Sequence, residues 1–132
     1  MTQRKAHNPA WPWTKDFRIS QAVQVGDAIY VSGQGPLDSE GQLVGEGDMA
    51  AQSRQVFANI RAVLAEAGAT MDDVVKITSF ITDTGRYAEY TAARAEAFPN
   101  HVPASSTVTV ADLVIPGMLV EVEAIAVLGS GS

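Results

Sequence analysis

Cysteine is absent from the chain, and this excludes disulfide bonds, thiolate catalysis and metal sites with sulfur ligands. The two histidines, His7 and His101, lie far apart and have no third ligand at a known spacing, so we predict no metal site. No G-x-S-x-G motif occurs, which removes the usual signature of a serine hydrolase. No apolar run approaches the roughly 20 residues that cross a bilayer, and we predict no membrane contact.

Positive charge is also scarce. Nine lysines and arginines stand against fifteen acidic residues, and the formal net charge is −6. Nonspecific binding to nucleic acid depends on Lys and Arg neutralising phosphates, so we predict no nucleic-acid partner. The polar N-terminus contains no apolar segment of the kind found in signal peptides, which predicts a cytoplasmic protein. With 132 residues, 46% of them hydrophobic, the chain has the size and composition of one globular domain.

Hydrophobic periodicity divides the chain into an irregular N-terminal arm (residues 1–16), a single domain (residues 17–128) and a flexible tail (residues 129–132). Asp48 is the predicted N-cap of the clearest helix, and Gly68 follows its predicted end. The predicted order is ββαβαββ, with strands over residues 19–25, 28–33, 74–81, 107–110 and 118–127 and a second helix over 87–98. This order predicts an α+β sandwich with both helices on one face of a mixed sheet.

The last predicted strand carries two carboxylates inside an otherwise apolar run. Alternate residues of a strand share a face, so Glu121 and Glu123 point the same way. An ionised carboxylate is costly to bury unless it is paired or hydrated, so this face either meets solvent or lines a polar pocket. Because the two helices cover only one face of the sheet, the other face keeps apolar residues. Such a face predicts an oligomer.

Four separated segments carry a further pattern: V-S-G-Q-G-P-L (residues 31–37), G-A-T-M-D-D-V-V-K (68–76), P-A-S-S-T-V (103–108) and V-E-V-E-A-I-A-V (120–127). In this order and spacing the chain resembles the RidA (YjgF) family from about residue 19 to residue 127. The resemblance implies a chorismate-mutase-like fold and a homotrimer with small-molecule clefts between its subunits. It also implies that no cofactor is needed to hydrolyse reactive imines and enamines, such as 2-aminoacrylate, to ammonia and a ketoacid.

Several residues match the family's site. Glu121 matches the glutamate that positions the attacking water, and this is the role that the resemblance implies for it. Ser32 and Gly33 match a segment whose backbone lines the pocket. Thr107 falls where the family often has Cys or Thr. The resemblance therefore gathers residues from two distant parts of the chain into one site.

Two positions depart from the family's pattern. Ser105 stands where the family has a substrate-clamping arginine, and Ile19 stands where it has an aromatic residue. A serine hydroxyl in place of a bidentate guanidinium loses roughly 1.5–3 kcal/mol of binding to a carboxylate, so we expect the usual 2-iminoacid hydrolysis to be absent. Arg18, beside Ile19, and Arg94, on the second predicted helix, are the cations that could replace it. Exposure to solvent is the commoner state of such arginines.

These residues favour a cofactor-free hydrolase or deaminase of an imine, enamine or related amino intermediate. We take as catalytic candidates Glu121 and Ser105, and as substrate-binding candidates Ser32, Gly33, Thr107, Ile19, Arg18 and Arg94. The apolar strand around Glu121 is expected to raise the pKa of its carboxyl. The alternative is a non-catalytic trimeric protein that binds small molecules or has a regulatory role. RNA cleavage is disfavoured by the acidic balance of the chain.

Overall fold

The computed structural model describes residues 3–132, which form a mixed six-stranded sheet and two α-helices. In chain order the elements are β1 (Arg4–His7), β2 (Ala22–Val25), β3 (Ala28–Gln34), α1 (Met49–Glu66), β4 (Val74–Ile81), α2 (Tyr87–Ala97), β5 (Ala104–Thr109) and β6 (Val120–Val127). The strands lie in the order β1-β2-β3-β6-β4-β5; β4 and β5 are parallel, and the other neighbours are antiparallel. No helix in the described range is long and apolar enough to cross a membrane.

Helix α1 has the predicted ends. The Asp48 carboxylate accepts a hydrogen bond from the backbone N–H of Ala51 at 3.0 Å, which satisfies a free donor of the first turn. Gly68, just beyond the helix, has a φ of +75°, a conformation that glycine adopts without strain. The helix packs on β3 and β6 and against α2. Its buried stripe, which forms the centre of the core, consists of Met49, Val56, Phe57, Ile60, Val63 and Leu64.

Alternation along β6 divides the sheet into two faces. The even-numbered residues from 120 to 126 are buried against the helices, and the odd-numbered residues point to the opposite side. We call this opposite side the open face. Tyr30 and Ile125 are register partners there, and both remain exposed. The predicted α+β architecture is confirmed, and within residues 3–132 no helix or second sheet covers the open face.

The sequence predicted an irregular N-terminal arm, but part of the arm forms a strand. Arg4–His7 form β1, which pairs antiparallel with β2 and adds one strand before the predicted ββαβαββ order. Three of its four side chains are exposed, so this edge strand shows no apolar alternation in the sequence. His7 is buried and shares a hydrogen bond of 2.8 Å with the Gln24 side chain. Residues 1 and 2 of the predicted arm lie outside the described residues.

Two strand boundaries also differ from the prediction. β2 begins at Ala22 rather than at residue 19, because Thr14–Phe17 form a short 3-10 turn that ends with Arg18 at a left-handed φ of 55°. β5 begins at Ala104 rather than at residue 107, because parallel pairing with β4 extends back to that residue. The first shift leaves Arg18 and Ile19 before the strand, and the second places Ser105 near the start of β5.

The predicted flexible tail folds back onto the protein. The backbone N–H of Gly131 donates to the Asp73 carboxylate at 2.9 Å, and the Ser130 hydroxyl donates to the Asp73 carbonyl oxygen at 3.4 Å. Asp73 sits in the 3-10 turn that precedes β4. These bonds connect the tail to the turn before β4, and its flexibility, which the Gly and Ser composition indicates, stays a prediction.

Candidate functional site: two clefts on opposite faces of the sheet

One cleft, which we call the glutamate cleft, opens where β3 and β6 meet the N-terminal segment and the loop before β6. Its volume is about 430 Å³. It contains four of the residues that the sequence put forward: Glu121, Ser32, Gly33 and Ile19. Their proximity follows from the antiparallel pairing of β3 with β6, which brings residues about ninety positions apart to one end of the sheet.

Glu121 packs directly on the backbone of Gly33. The register of β3 against β6 shifts at this point, which marks a bulge. A Cβ at position 33 would lie 2.6 Å from Glu121 Oε2, so glycine is what leaves room for the carboxylate. The Ser32 hydroxyl donates to the Ser20 carbonyl oxygen at 2.7 Å and fixes the other side of the bulge. The S-G pair therefore holds the carboxylate in a defined place.

Substitution of Gly33 by alanine is expected to push the Glu121 carboxylate aside. The added methyl group overlaps a flexible side chain, so the side chain moves while the strands keep their pairing. Turnover should fall about 10-fold through misplacement of the acid, with little change in melting temperature. Steady-state kinetics and a thermal melt of the variant check this expectation. An alanine variant with parental turnover would show that the contact has no part in activity.

Glu121 is half-buried and has no cationic partner. No Lys, Arg or His nitrogen in residues 3–132 lies within 4.0 Å of its carboxylate. Burial raises the pKa of the Glu121 carboxyl above its ordinary value, and the charge of Glu123 raises it further. The direction is the one predicted from the apolar strand. A carboxyl in this state is suited to accept a proton and to return it.

Replacement of Glu123 by glutamine is expected to move the pH dependence of activity. The change removes a like charge and lowers the pKa of Glu121, although burial, the larger cause, keeps that pKa raised. Only ionised Glu121 can accept a proton, so the rate falls as pH drops through this pKa. The acidic limb of the kcat/KM profile should therefore shift to lower pH in the variant. A limb that stays in place or moves to higher pH contradicts the coupling between the two carboxylates.

The wall of the glutamate cleft contains an aromatic cluster that the sequence reasoning missed. Trp11 and Trp13 stack with ring centroids 5.9 Å apart, and Phe17 meets Trp13 edge to face at 5.6 Å. Trp13 and Phe17 line the cleft beside Ile19, which is itself 54% exposed. Phe17 thus brings a ring to the wall from two residues before the position where the family pattern has one. In the sequence, this cluster was indicated only by the W-x-W-x₃-F spacing of Trp11, Trp13 and Phe17.

A second cleft lies between α2 and β5 and has a volume of about 760 Å³. We call it the arginine cleft. It contains three further predicted residues: Arg94, Ser105 and Thr107. Arg94 Nη1 donates to Ser105 Oγ at 3.3 Å. The guanidinium of a helix therefore reaches the position on β5 where the family pattern has an arginine.

The two clefts open on opposite faces of the sheet. Ser105 is the register partner of Ile77, whose side chain is buried beneath the helices. Glu121 is the register partner of Phe80, which is out of phase with Ile77 and points to the open face. In one chain, Glu121 and Ser105 therefore cannot contact the same small molecule.

Arg18 lies in neither cleft. It ends the 3-10 turn with left-handed backbone, its N–H donates to the Lys15 carbonyl oxygen at 3.3 Å, and its side chain is exposed. The turn that ends at this residue leaves it outside the walls of both clefts of a single chain, and its role in substrate binding stays a prediction. Within residues 3–132, no group of three His, Asp or Glu side chains is placed to hold a metal ion.

Comparison with known proteins identifies the family. A family model described as Endoribonuclease L-PSP matches residues 15–128, most of the chain. The chain belongs to this family, known also as YjgF or Rid. A RutC family protein of Pyrococcus abyssi is 39% identical over 122 residues, covering 92% of this chain and 91% of that protein. The predicted membership of the RidA (YjgF) family is thereby confirmed.

Solved structures of the Rid family confirm the fold. YyfA of Yersinia pestis, described as a member of the conserved Rid protein family, is similar with a TM-score of 0.85 and 36% identity, over 96% of this chain and 100% of that one. Rv2704 of Mycobacterium tuberculosis, a member of the YjgF/YER057c/UK114 family, has a TM-score of 0.83 and 33% identity over the same shares. The arrangement of the two clefts is therefore built on a Rid-family scaffold.

Proposed function

We propose that this Rid-family protein is a cofactor-free hydrolase that deaminates an imine or enamine in a cleft formed by two subunits of a homotrimer. The observation that carries the proposal is the half-buried carboxylate of Glu121. It packs on Gly33, lacks a cationic partner in the described residues, and has a raised pKa. An acid in this state can take a proton from water in one step and give it up in the next.

The reaction adds water across a C=N bond. The Glu121 carboxylate accepts a proton from water as the water oxygen bonds to the imine carbon, and it returns that proton to the nitrogen. The C–N bond of the carbinolamine then breaks as its hydroxyl proton passes to the nitrogen. Ammonia leaves, and the water oxygen remains in the carbonyl product. An enamine enters the same sequence after a proton moves to its carbon and forms the imine.

A second subunit is part of the proposal because one chain separates the two clefts. A site with Glu121 on one wall and Ser105 and Thr107 on the other needs the arginine cleft of a neighbouring copy. A head-to-tail contact of this kind closes into a ring, which we propose to contain three chains. The exposed Tyr30 and Ile125 supply apolar surface for such a contact on the open face.

The lifetime of imines in the presence of the protein tests this function. Imines are generated in solution by an amine oxidase or an amino acid oxidase, and those that survive are trapped with semicarbazide. The protein is expected to lower the amount of semicarbazide adduct and to increase the early release of ammonia. If a panel of acidic and neutral imines decays at the same rate with and without the protein, the hydrolase proposal is overturned.

Binding without turnover is the second candidate, and the departures at Ser105 and Ile19 favour it. It predicts a higher melting temperature with ligand and no change in imine lifetime, since a ligand stabilises the state that it binds. Light scattering of the same samples measures the assembly. A monomer at assay concentration would contradict the two-subunit cleft in either case.

A further inference from the structure

The arginine cleft contains a guanidinium without an acidic partner. Arg94 is half-buried, and no carboxylate in residues 3–132 lies within 4.0 Å of its nitrogens. Glu96, two residues along α2, pairs instead with Arg54 at 3.4 Å. A guanidinium forms its strongest hydrogen bonds with carboxylates, often through two parallel N–H donors. Most lysines and arginines of the described residues also lack such a partner, but Arg94 lines a cleft, so its guanidinium is placed to meet an external anion.

Two contacts hold Arg94 at the cleft. Its Nη1 donates to Ser105 Oγ at 3.3 Å, and its guanidinium carbon lies 5.4 Å from the centre of the Tyr90 ring. Tyr90 is fully buried and its hydroxyl is hydrogen-bonded to Ser79, so the ring is a fixed platform. Burial raises the pKa of Tyr90, against the opposing effects of Ser79 and Arg94, and the phenol stays neutral at neutral pH. These contacts leave most of the guanidinium N–H donors free for a ligand.

Beyond the guanidinium, the cleft is lined by apolar side chains and by the hydroxyls of several serines and threonines, and it is much larger than a small acid. Tyr87 is 40% exposed and Val102 is 94% exposed, and the mostly buried Phe98 also lines the cleft. The volume of about 760 Å³ lies in the range of sites for ligands of drug size. In a single chain, a three-carbon acid would leave most of this space empty. The cleft of one chain therefore has room for a molecule with one anionic group and a larger body that contacts the apolar side chains of the wall.

We propose that Arg94 is the specificity-determining residue of this cleft, and that it binds the carboxylate of a substrate whose apolar body packs on Tyr87, Phe98 and Val102. That this substrate is an imine or enamine rests on the proposed hydrolase function, but the binding of its carboxylate by Arg94 does not. The expectation drawn from Ser105 alone, that carboxylates are disfavoured, changes accordingly. The charge that β5 lacks comes from α2, and it holds the anion on the helix side of the cleft.

Calorimetric titration with phenylpyruvate, its uncharged amide and pyruvate tests this assignment on the full-length protein. The parent is expected to bind phenylpyruvate about 10-fold or more tightly than the amide, the scale of a hydrogen bond to a charged group. It should also bind phenylpyruvate more tightly than pyruvate. Arg94→Gln should lose the preference for the acid over the amide. Arg61→Gln removes the same charge from an exposed position of α1 and should keep the preference.

Restoration of the charge from another element sharpens the test. Ser105→Arg in the Arg94→Gln background returns a guanidinium to the cleft and is expected to recover preference for the acid. Thermal melts confirm that each variant is folded. Equal binding of acid and amide by the parent, or an unchanged preference in Arg94→Gln, overturns the assignment. A weaker trimer in Arg94→Gln with unchanged ligand binding also overturns it, since the guanidinium would then serve the subunit contact.

Kinetics separate this inference from the proposed function. If Arg94→Gln loses acid binding and the parent shortens the lifetime of no imine, the proposed role of Arg94 stands. The hydrolase proposal is then overturned. If each imine, acidic or neutral, has the same KM in the parent and in Arg94→Gln, the proposed role of Arg94 is overturned and the hydrolase proposal stands. If both proposals hold, Arg94→Gln raises KM for acidic imines about 10-fold more than it raises KM for neutral imines.

Discussion

Replacement of Glu121 by glutamine is expected to lower kcat/KM for imine hydrolysis by about 10²–10⁴-fold, the range of general acid–base catalysis. Glutamine has the shape of glutamate and keeps its packing on Gly33, but its amide accepts no proton from water. The melting temperature at neutral pH is not expected to fall. When folding raises the pKa of a carboxyl, the free energy of unfolding falls as pH rises above the pKa of that carboxyl in the unfolded chain. Removing the charge of Glu121 therefore does not destabilise the fold. Kinetics and thermal melts at one pH measure both effects.

Glu66→Gln is the matched control for this prediction. Glu66 is the exposed last residue of α1, so the same chemical change occurs there without contact with either cleft. This variant should keep parental turnover. Glu121→Asp retains a carboxylate on a shorter side chain and should recover part of the rate. Parental activity in Glu121→Gln would remove the mechanism, and equal losses in Glu121→Gln and Glu66→Gln would assign the effect to net charge.

Two inactive variants are expected to restore each other when they assemble together. Glu121→Gln disables the glutamate cleft, and Ser105→Trp fills the arginine cleft from an exposed position of the edge strand β5. Each variant alone should be inactive. In a head-to-tail ring made from equal amounts of both, about one quarter of the sites combine the intact halves of two different chains. Co-refolding the two variants and measuring turnover per chain should therefore recover about one quarter of parental activity.

A second mixture provides the control for this experiment. Glu121→Gln and Gly33→Ala both alter the glutamate cleft, so no combination of their chains contains an intact half of that kind. Their mixture should show no more activity than the average of the two proteins measured separately. Recovery in this control would indicate that simple dilution or refolding raises activity. No recovery with Ser105→Trp, in samples shown to contain mixed assemblies, would contradict a site shared between subunits.

The helices and central strands could be predicted because several local signals agree there. Asp48 caps α1 and Gly68 follows it in a left-handed conformation, as the sequence indicated. β4 lacks clear alternation because it is a central strand, paired with β5 on one side and β6 on the other. β1 was missed for the opposite reason. It is a short polar strand at the edge of the sheet, and no hydrophobic period marks it.

The site could be predicted only where strand pairing decides it. Glu121 and Gly33 converge because β6 pairs with β3, and the motifs on these strands were visible in the sequence. The contact of Arg94 with Ser105 depends on how α2 lies across β5, and no periodicity in either element specifies that packing. Phe17 reaches the glutamate cleft through an irregular segment whose path local propensity does not determine.

The sheet that separates the two clefts also separates their evolutionary constraints. Within one chain, Arg94 is surrounded chiefly by residues of α2 and β5, while the neighbourhood of Glu121 is built by β3 and β6 on the other face of the sheet. Effects of distant changes within one chain on its stability add nearly independently, so a substitution in the arginine cleft leaves the fold around Glu121 intact. Substitutions that change ligand preference can therefore accumulate in the arginine cleft without disturbing the strands that hold Glu121.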